Sequence, residues 1–78
     1  MNKERRDSIR LIIQNIEEAV SGLEEILEEE QQSRDNIPEN LQNSAVYEKA
    51  EEACDGLSAE IDALNDSADN LRSLIGDY

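Results

Sequence analysis

Apolar residues recur every seven positions in two separate stretches of the chain. The residues concerned are Ile9, Ile16 and Leu23 in the first stretch, and Ala50, Leu57, Leu64 and Leu71 in the second. A seven-residue apolar repeat is typical of α helices that wind around each other in a left-handed supercoil. The pattern therefore predicts an all-α fold in which two long helices pack along each other.

Two further apolar rows accompany this repeat. With Ile9 taken as heptad position a of the first stretch and Ala50 as position a of the second, row d contains Ile12, Ala19, Ile26, Val46, Ala53 and Leu74, and row e contains Ile13, Val20, Leu27, Tyr47, Cys54, Ile61, Ala68 and Ile75. Glu60 and Ser67 interrupt row d. Three rows make a wider stripe than a two-stranded coiled coil requires, and such a stripe is typical of a bundle in which each helix contacts more than one neighbour.

One segment between the two stretches carries the turn-forming residues. Residues 33–40 contain the single proline, Pro38, together with serine, aspartate and asparagine, which favour chain reversal. We therefore predict one domain, residues 1–78, folded as an antiparallel two-helix hairpin. Its helices are expected at about 3–33 and 41–75, with a turn at about 34–40 and a helical turn at 38–43. Gly76 is expected to end the second helix.

A lone hairpin hides only part of a three-row stripe, and a chain of 78 residues has a small core. We therefore expect a homodimer in which two hairpins form an antiparallel four-helix bundle. Alternatively, a different protein packs against the apolar stripe. The predicted core of the bundle is Ile9, Ile13, Ile16, Val20, Leu23, Leu27, Leu57, Ile61, Leu64 and Leu71.

Two glycines fall within an internal similarity. Residues 17–23 and 51–57 match at five of seven positions, and each segment ends in glycine followed by leucine. If the chain reverses near residues 37–39, Gly22 and Gly56 come to nearly the same level of the hairpin. Each glycine lowers the stability of a helix by about 1 kcal/mol relative to alanine. The pair indicates either that the backbone of another helix or of a partner approaches closely there, or that the protein simply tolerates this loss of stability.

Reactive side chains are scarce in this composition. The chain has no histidine and one cysteine, Cys54, so the usual general base, the commonest transition-metal ligand and an intrachain disulfide are all missing. We predict no enzymatic activity, no catalytic residues, no metal site and no cofactor. The free thiol, the lack of a long apolar run and the lack of a signal peptide indicate a cytoplasmic protein that does not enter membranes.

Negative charge is the main functional signal. Twenty acidic residues against seven basic ones give a net charge of −13, which excludes direct binding to nucleic acid or anionic membranes. The charge indicates either a surface that only keeps the protein soluble, or recognition of a basic protein by carboxylates that stand in for phosphates. The candidate partner-binding residues are Glu17, Glu18, Glu24, Glu25, Glu28, Glu29, Glu51, Glu52, Asp55, Asp62 and Asp66.

The segment around the turn also resembles a known group of proteins. Residues 28–32 (EEEQQ), 35–42 (DNIPENLQ) and the opening MNKERR are similar to a family of small acidic helical-hairpin proteins from phages and prophages of Gram-positive bacteria. That family has no assigned catalytic residue or ligand. The resemblance implies a phage protein that acts in the host cytoplasm.

These observations favour one function over two alternatives. We predict a phage-type inhibitor that binds a host protein, such as a defence or nucleic-acid-binding protein, through a DNA-mimicking acidic surface. The first alternative is a structural or scaffolding homo-oligomer, in which the apolar rows carry the function. The second is a sponge that holds a small signalling nucleotide near Tyr47 or the glycine pair, although the chain offers few aromatic or basic residues for such a site.

Overall fold

The protein is a two-helix hairpin. The structure, a computed structural model, describes residues 1–76, and within them helix α1 (Lys3–Asp35) and helix α2 (Ala45–Ile75) are joined through a short 3-10 turn at Glu39–Leu41, with no β strand. The helices pack against each other in a rod of 59 × 17 × 15 Å. The predicted all-α helical hairpin is confirmed.

Local capping fixes where the helices begin and end. The side chain of Asn2 accepts a hydrogen bond from the Arg5 N–H at 2.9 Å, and the Ser44 hydroxyl oxygen accepts one from the Tyr47 N–H at 3.3 Å; both satisfy free N–H groups of a first turn. Gly76 ends α2 in the left-handed conformation with φ 71°, which confirms the predicted terminator.

The connection differs from its prediction. Helix α1 continues two residues beyond 33, and α2 begins at Ala45 instead of about 41. Pro38 starts only the 3-10 turn, in which the Leu41 N–H donates to the Pro38 carbonyl at 2.8 Å. Ser44 caps α2 as a separate helix, so Pro38 and Ser44 each start a helical segment of their own.

Rows a and e form the seam between the two helices. The buried residues all belong to row e, namely Ile13, Val20, Cys54, Ile61, Ala68 and Ile75, and the row a residues are half-buried. Along each helix these two rows alternate at spacings of four and three residues, as in a two-stranded coiled coil. The seven-residue burial period is maintained along both helices, which corresponds to a left-handed supercoil.

Row d stays exposed. Ile12 and Ile26 are each 51 % exposed, Val46 is 68 % exposed and Leu74 is 69 % exposed. Continuity of the rows explains this choice, because a seam built from rows a and d would bury the Glu60 carboxylate and the Ser67 hydroxyl. The ten residues predicted as the core of a four-helix bundle all lie in the seam of a single chain.

One cluster of buried residues lies at the open end of the hairpin, where the two helices lead away from the connection. Ile13 packs with Ala68 and Ile75 in one cluster, with Leu71 against it, so Ile13 lies at the level of Leu71. Toward the connection, rows a and e include the half-buried Glu30 and Arg34.

Candidate interaction faces

One ion pair across the seam separates two faces of the rod. Arg72 of α2 donates to the Glu17 carboxylate of α1 at 2.6 Å, and we call the side that holds this pair the front face. Row d lies on the opposite side of the seam, the rear face, on both helices. The outer ridges, which point away from the seam, carry Leu11, Glu18, Glu25, Gln32, Glu52 and Asp66 by helical periodicity.

The front face carries half of the twenty carboxylates of the chain. By the same periodicity they are Asp7, Glu17, Glu24, Glu28, Asp35, Glu48, Glu51, Asp55, Asp62 and Asp69. Four of them form one row on α2, from Glu48 to Asp69, at intervals of seven residues or about 10 Å. Both helices therefore contribute charge to a single surface.

Cations pair with carboxylates of this surface near its two ends. Close to the connection, Arg34 holds Asp35 at 3.1 Å, and the other pairs lie at the open end. Asp7 is held by Lys3 at 3.3 Å and by Arg10 at 2.8 Å. Arg72 holds Asp69 at 3.2 Å in addition to Glu17. No ion pair within residues 1–76 involves the exposed carboxylates that we call the acidic patch, namely Glu24, Glu28, Glu48, Glu51, Asp55 and Asp62.

The ion pairs also shift ionisation. The hydrogen bond from Lys3, followed by the charges of Lys3 and Arg10, lowers the pKa of Asp7 below its ordinary value. The hydrogen bond to Glu17 raises the pKa of Arg72. Loss of hydration, with the nearby Glu51 carboxylate, raises the pKa of Tyr47. Each of these pKa shifts favours the form that is already present at neutral pH, so none of these groups changes its charge near pH 7.

The predicted partner-binding residues do not share one face. Glu17, Glu24, Glu28, Glu51, Asp55 and Asp62 lie on the front face, whereas Glu18, Glu25, Glu52 and Asp66 lie on the outer ridges. Glu29 lies on the rear face. The prediction omitted Glu48 and Asp69, although their seven-residue spacing from Asp55 and Asp62 is visible in the sequence.

The rear face carries the exposed apolar residues of row d and has no net formal charge. Beside row d it carries Gly22 and Gly56, and its charged residues are Arg5, Glu29, Lys49 and Glu60. A Cβ atom built on either glycine would meet nothing within 4 Å, so packing inside the hairpin does not require them. With Ile13 at the level of Leu71, Gly22 lies opposite Asp62. The two glycines are therefore six residues, about 9 Å, apart along the rod, so the prediction that they lie at nearly the same level is wrong.

Other kinds of site find little support in the described residues. A small open cavity of about 150 Å³ is lined by Arg10, Ile13, Gln14, Glu17 and Arg72, and is below the roughly 300 Å³ of ordinary ligand pockets. Both of its arginines already contact carboxylates. Residues 1–76 contain no group of three side chains suited to a metal ion, and no described helix is long and apolar enough to cross a bilayer.

Comparisons with known proteins add no family to this picture. No protein-family model, curated protein or solved structure matches the chain. Function is therefore argued from the chemistry of the two faces.

Proposed function

We propose that this protein is a non-enzymatic inhibitor whose acidic patch occupies the nucleic-acid-binding groove of a basic partner protein. The observation that carries the proposal is the concentration of exposed carboxylates without ion pairs on one face of the rod. Such a surface attracts a lysine- and arginine-rich groove by long-range electrostatics and repels other acidic proteins.

The spacing of the patch supports phosphate mimicry. From Glu48 to Asp62 the patch spans fourteen residues of α2, about 21 Å of helix, and Glu24 and Glu28 of α1 fall within that length. Six carboxylates over this distance correspond to about one per 4 Å, against one phosphate per roughly 3.4 Å along a DNA strand. A groove that tracks a nucleic-acid backbone therefore meets a similar linear charge density.

The hairpin also holds the patch in a fixed arrangement. Cys54 and Ile61, buried in the seam, anchor the α2 segment that carries Asp55 and Asp62. Because the carboxylates project from paired helices, little backbone entropy is lost when a partner binds. The rod therefore supports binding by a preformed surface.

The partner that we propose is a bacterial protein in the cytoplasm of a phage host, such as a nucleic-acid-binding defence protein. The resemblance of residues 28–42 to small phage hairpin proteins supports this context. The physical argument for the acidic patch is independent of it, and holds for any partner with a basic groove.

Self-association is a second candidate function. The observation that favours it is the exposure of Ile12, Ile26, Val46 and Leu74. We propose that the protein is a homodimer; in a purely structural oligomer, the apolar row would carry the function and the acidic patch would only maintain solubility.

Equal changes of charge on two surfaces distinguish these functions. One variant reverses four charges in the patch, Glu24→Lys, Glu28→Lys, Asp55→Lys and Asp62→Lys. The control reverses four on the outer ridges, Glu18→Lys, Glu25→Lys, Glu52→Lys and Asp66→Lys. Each protein is immobilised, exposed to bacterial lysate at low salt and eluted with a salt gradient, and the retained proteins are identified and assayed for nucleic-acid binding.

The proposal predicts a protein retained by the wild type and the ridge variant, but not by the patch variant. Its nucleic-acid binding should be competed by the free wild-type rod, and it should elute as salt screens the attraction. If the patch variant and the ridge variant lose partner binding equally, net charge alone would account for the binding. Absence of any competed partner, together with a stable oligomer, would support the structural function.

A further inference from the structure

We propose that the rear face is the interface of a homodimer, in which two hairpins pack back to back and antiparallel and leave both acidic patches facing outward. This deepens the proposed homodimer by placing its interface on row d, outside the ten residues predicted as its core. Those ten residues lie in the seam between the two helices of a single chain, whereas row d is exposed on both helices.

The distribution of charge identifies a second copy as the occupant. The rear face has two acidic and two basic residues, Glu29 and Glu60 against Arg5 and Lys49, so its formal charge is zero although the chain carries −13. Two copies that meet through their front faces would bring two acidic patches together. Contact through the rear faces keeps the patches on opposite sides of the assembly, which minimises their repulsion.

The charge at the two ends of the rod sets the orientation. Most of the cations lie at the open end, namely Lys3, Arg5, Arg6, Arg10 and Arg72, whereas the end near the connection carries Glu28, Glu29, Glu30, Glu39 and Glu48. A parallel pair would place like ends side by side. An antiparallel pair, related by a two-fold axis across the rod, places the nearly neutral open end of each copy beside the acidic connection end of its partner, so that the two acidic ends are kept apart.

The dimensions of the rear face suit a stable interface. A rod 59 Å long and 17 Å wide presents about 1,000 Å² on one face, compared with roughly 800 Å² per partner in a standard protein interface. Large and small residues also alternate along row d of α1, as Ile12, Ala19, Ile26 and Ser33. With open space above Gly22 and Gly56, this alternation lets the side chains of one copy enter spaces between those of the other.

Two double variants test the surface. Ile12→Glu with Ile26→Glu adds two charges to the rear face, and Leu11→Glu with Gln32→Glu adds the same charge to the outer ridge of the same helix. Leu11 is 61 % exposed and matches Ile12 as a neighbouring apolar residue. The molar mass is measured by sedimentation equilibrium over a concentration series, and helix content by circular dichroism.

The wild type and the ridge variant should have twice the chain mass of 8.8 kDa. The rear variant should be a monomer of unchanged helix content, with a dimer dissociation constant raised at least a hundredfold. A monomeric wild type, an assembly larger than a dimer, or a rear variant that still dimerises would overturn the proposal. If charge reversal in the acidic patch abolishes partner capture while the dimer persists, the interface and the inhibitory function are tested separately.

A spin label at the rear-face position Ser8 tests the orientation. In a Cys54→Ser background, Ser8→Cys places one label near the open end of each copy. The antiparallel dimer separates the two labels by about 35 Å along the rod, whereas a parallel dimer brings them side by side. A short distance would overturn the antiparallel arrangement.

Discussion

Ile12 and Ile13 are consecutive isoleucines with opposite environments. Ile13 is 4 % exposed in the seam, and Ile12 is 51 % exposed on the rear face. Their hydrophobicity is the same, so the difference comes from the rows to which they belong. On α2, rows a and e are the two apolar rows without a polar interruption, and they form the seam while row d stays exposed.

Truncation of these two isoleucines should give the largest contrast. Ile13→Ala is expected to lower the free energy of unfolding by about 3 kcal/mol, because it leaves a cavity in the packed cluster, and Tm by roughly 4–8 °C for each kcal/mol. Ile12→Ala should change it by less than about 0.5 kcal/mol at concentrations where the wild type is monomeric. Urea titration followed by circular dichroism measures both, and equal losses would contradict the assignment of the seam.

Making row d continuously apolar should make it more similar to the rows that form the seam. Glu60→Leu with Ser67→Leu makes row d continuous on α2, so the rear face gains apolar area and loses a charge. We expect dimerisation to become at least tenfold tighter, about 1.4 kcal/mol, in sedimentation equilibrium. The same pair of substitutions at Glu52 and Ser73, on the outer ridge, is the control, and an equal gain there would indicate nonspecific association.

Replacement of the rear-face glycines by alanine should have a smaller effect on stability. Gly22→Ala and Gly56→Ala should each stabilise the monomer by about 1 kcal/mol, because alanine favours helix and the added Cβ meets nothing within 4 Å. Gly76→Ala should be destabilising, since φ 71° is unfavourable for alanine. Thermal unfolding of the three variants distinguishes these cases, and a destabilised Gly22→Ala monomer would contradict the open position of Gly22.

The smallest expected effect concerns Asp7 at the open end of the front face. Its pKa is lowered in the folded protein by Lys3 and Arg10, so its contribution to stability is present above its ordinary pKa of 3.8 and is lost as the pH falls through the lowered value. Asp7→Asn should remove this part of the acid dependence. NMR titration of the Asp7 carboxyl measures the shift, and a normal or raised pKa would contradict the ion pairs.

Local signals in the sequence were sufficient for the fold. The seven-residue repeat predicted both helices. Gly76 predicted the end of α2, because glycine itself readily adopts the left-handed conformation that ends a helix. The start of α2 was placed too early, since Pro38 and Ser44 both signal a helix start and the sequence alone does not rank them. The interruption of row d by Glu60 and Ser67 was visible, but its effect depends on which rows meet across the seam.

The acidic surface was predictable in composition and less so in shape. A run such as Glu28, Glu29 and Glu30 is continuous in sequence, yet successive residues on a helix point about 100° apart. The three therefore lie on the front face, the rear face and the seam. Glu48 and Asp69 are far apart in sequence and share the front face, because seven residues make nearly two full turns.

The burial of Cys54 gives the hairpin its own reporter of motion. The thiol is free and 3 % exposed, so a water-soluble alkylating reagent reaches it only when the helices separate at that level. In the limit of fast reclosing, the rate of alkylation divided by that of an unfolded thiol gives the equilibrium constant for opening. The single cysteine thus makes the breathing of the seam measurable in the unmodified protein, without an introduced label.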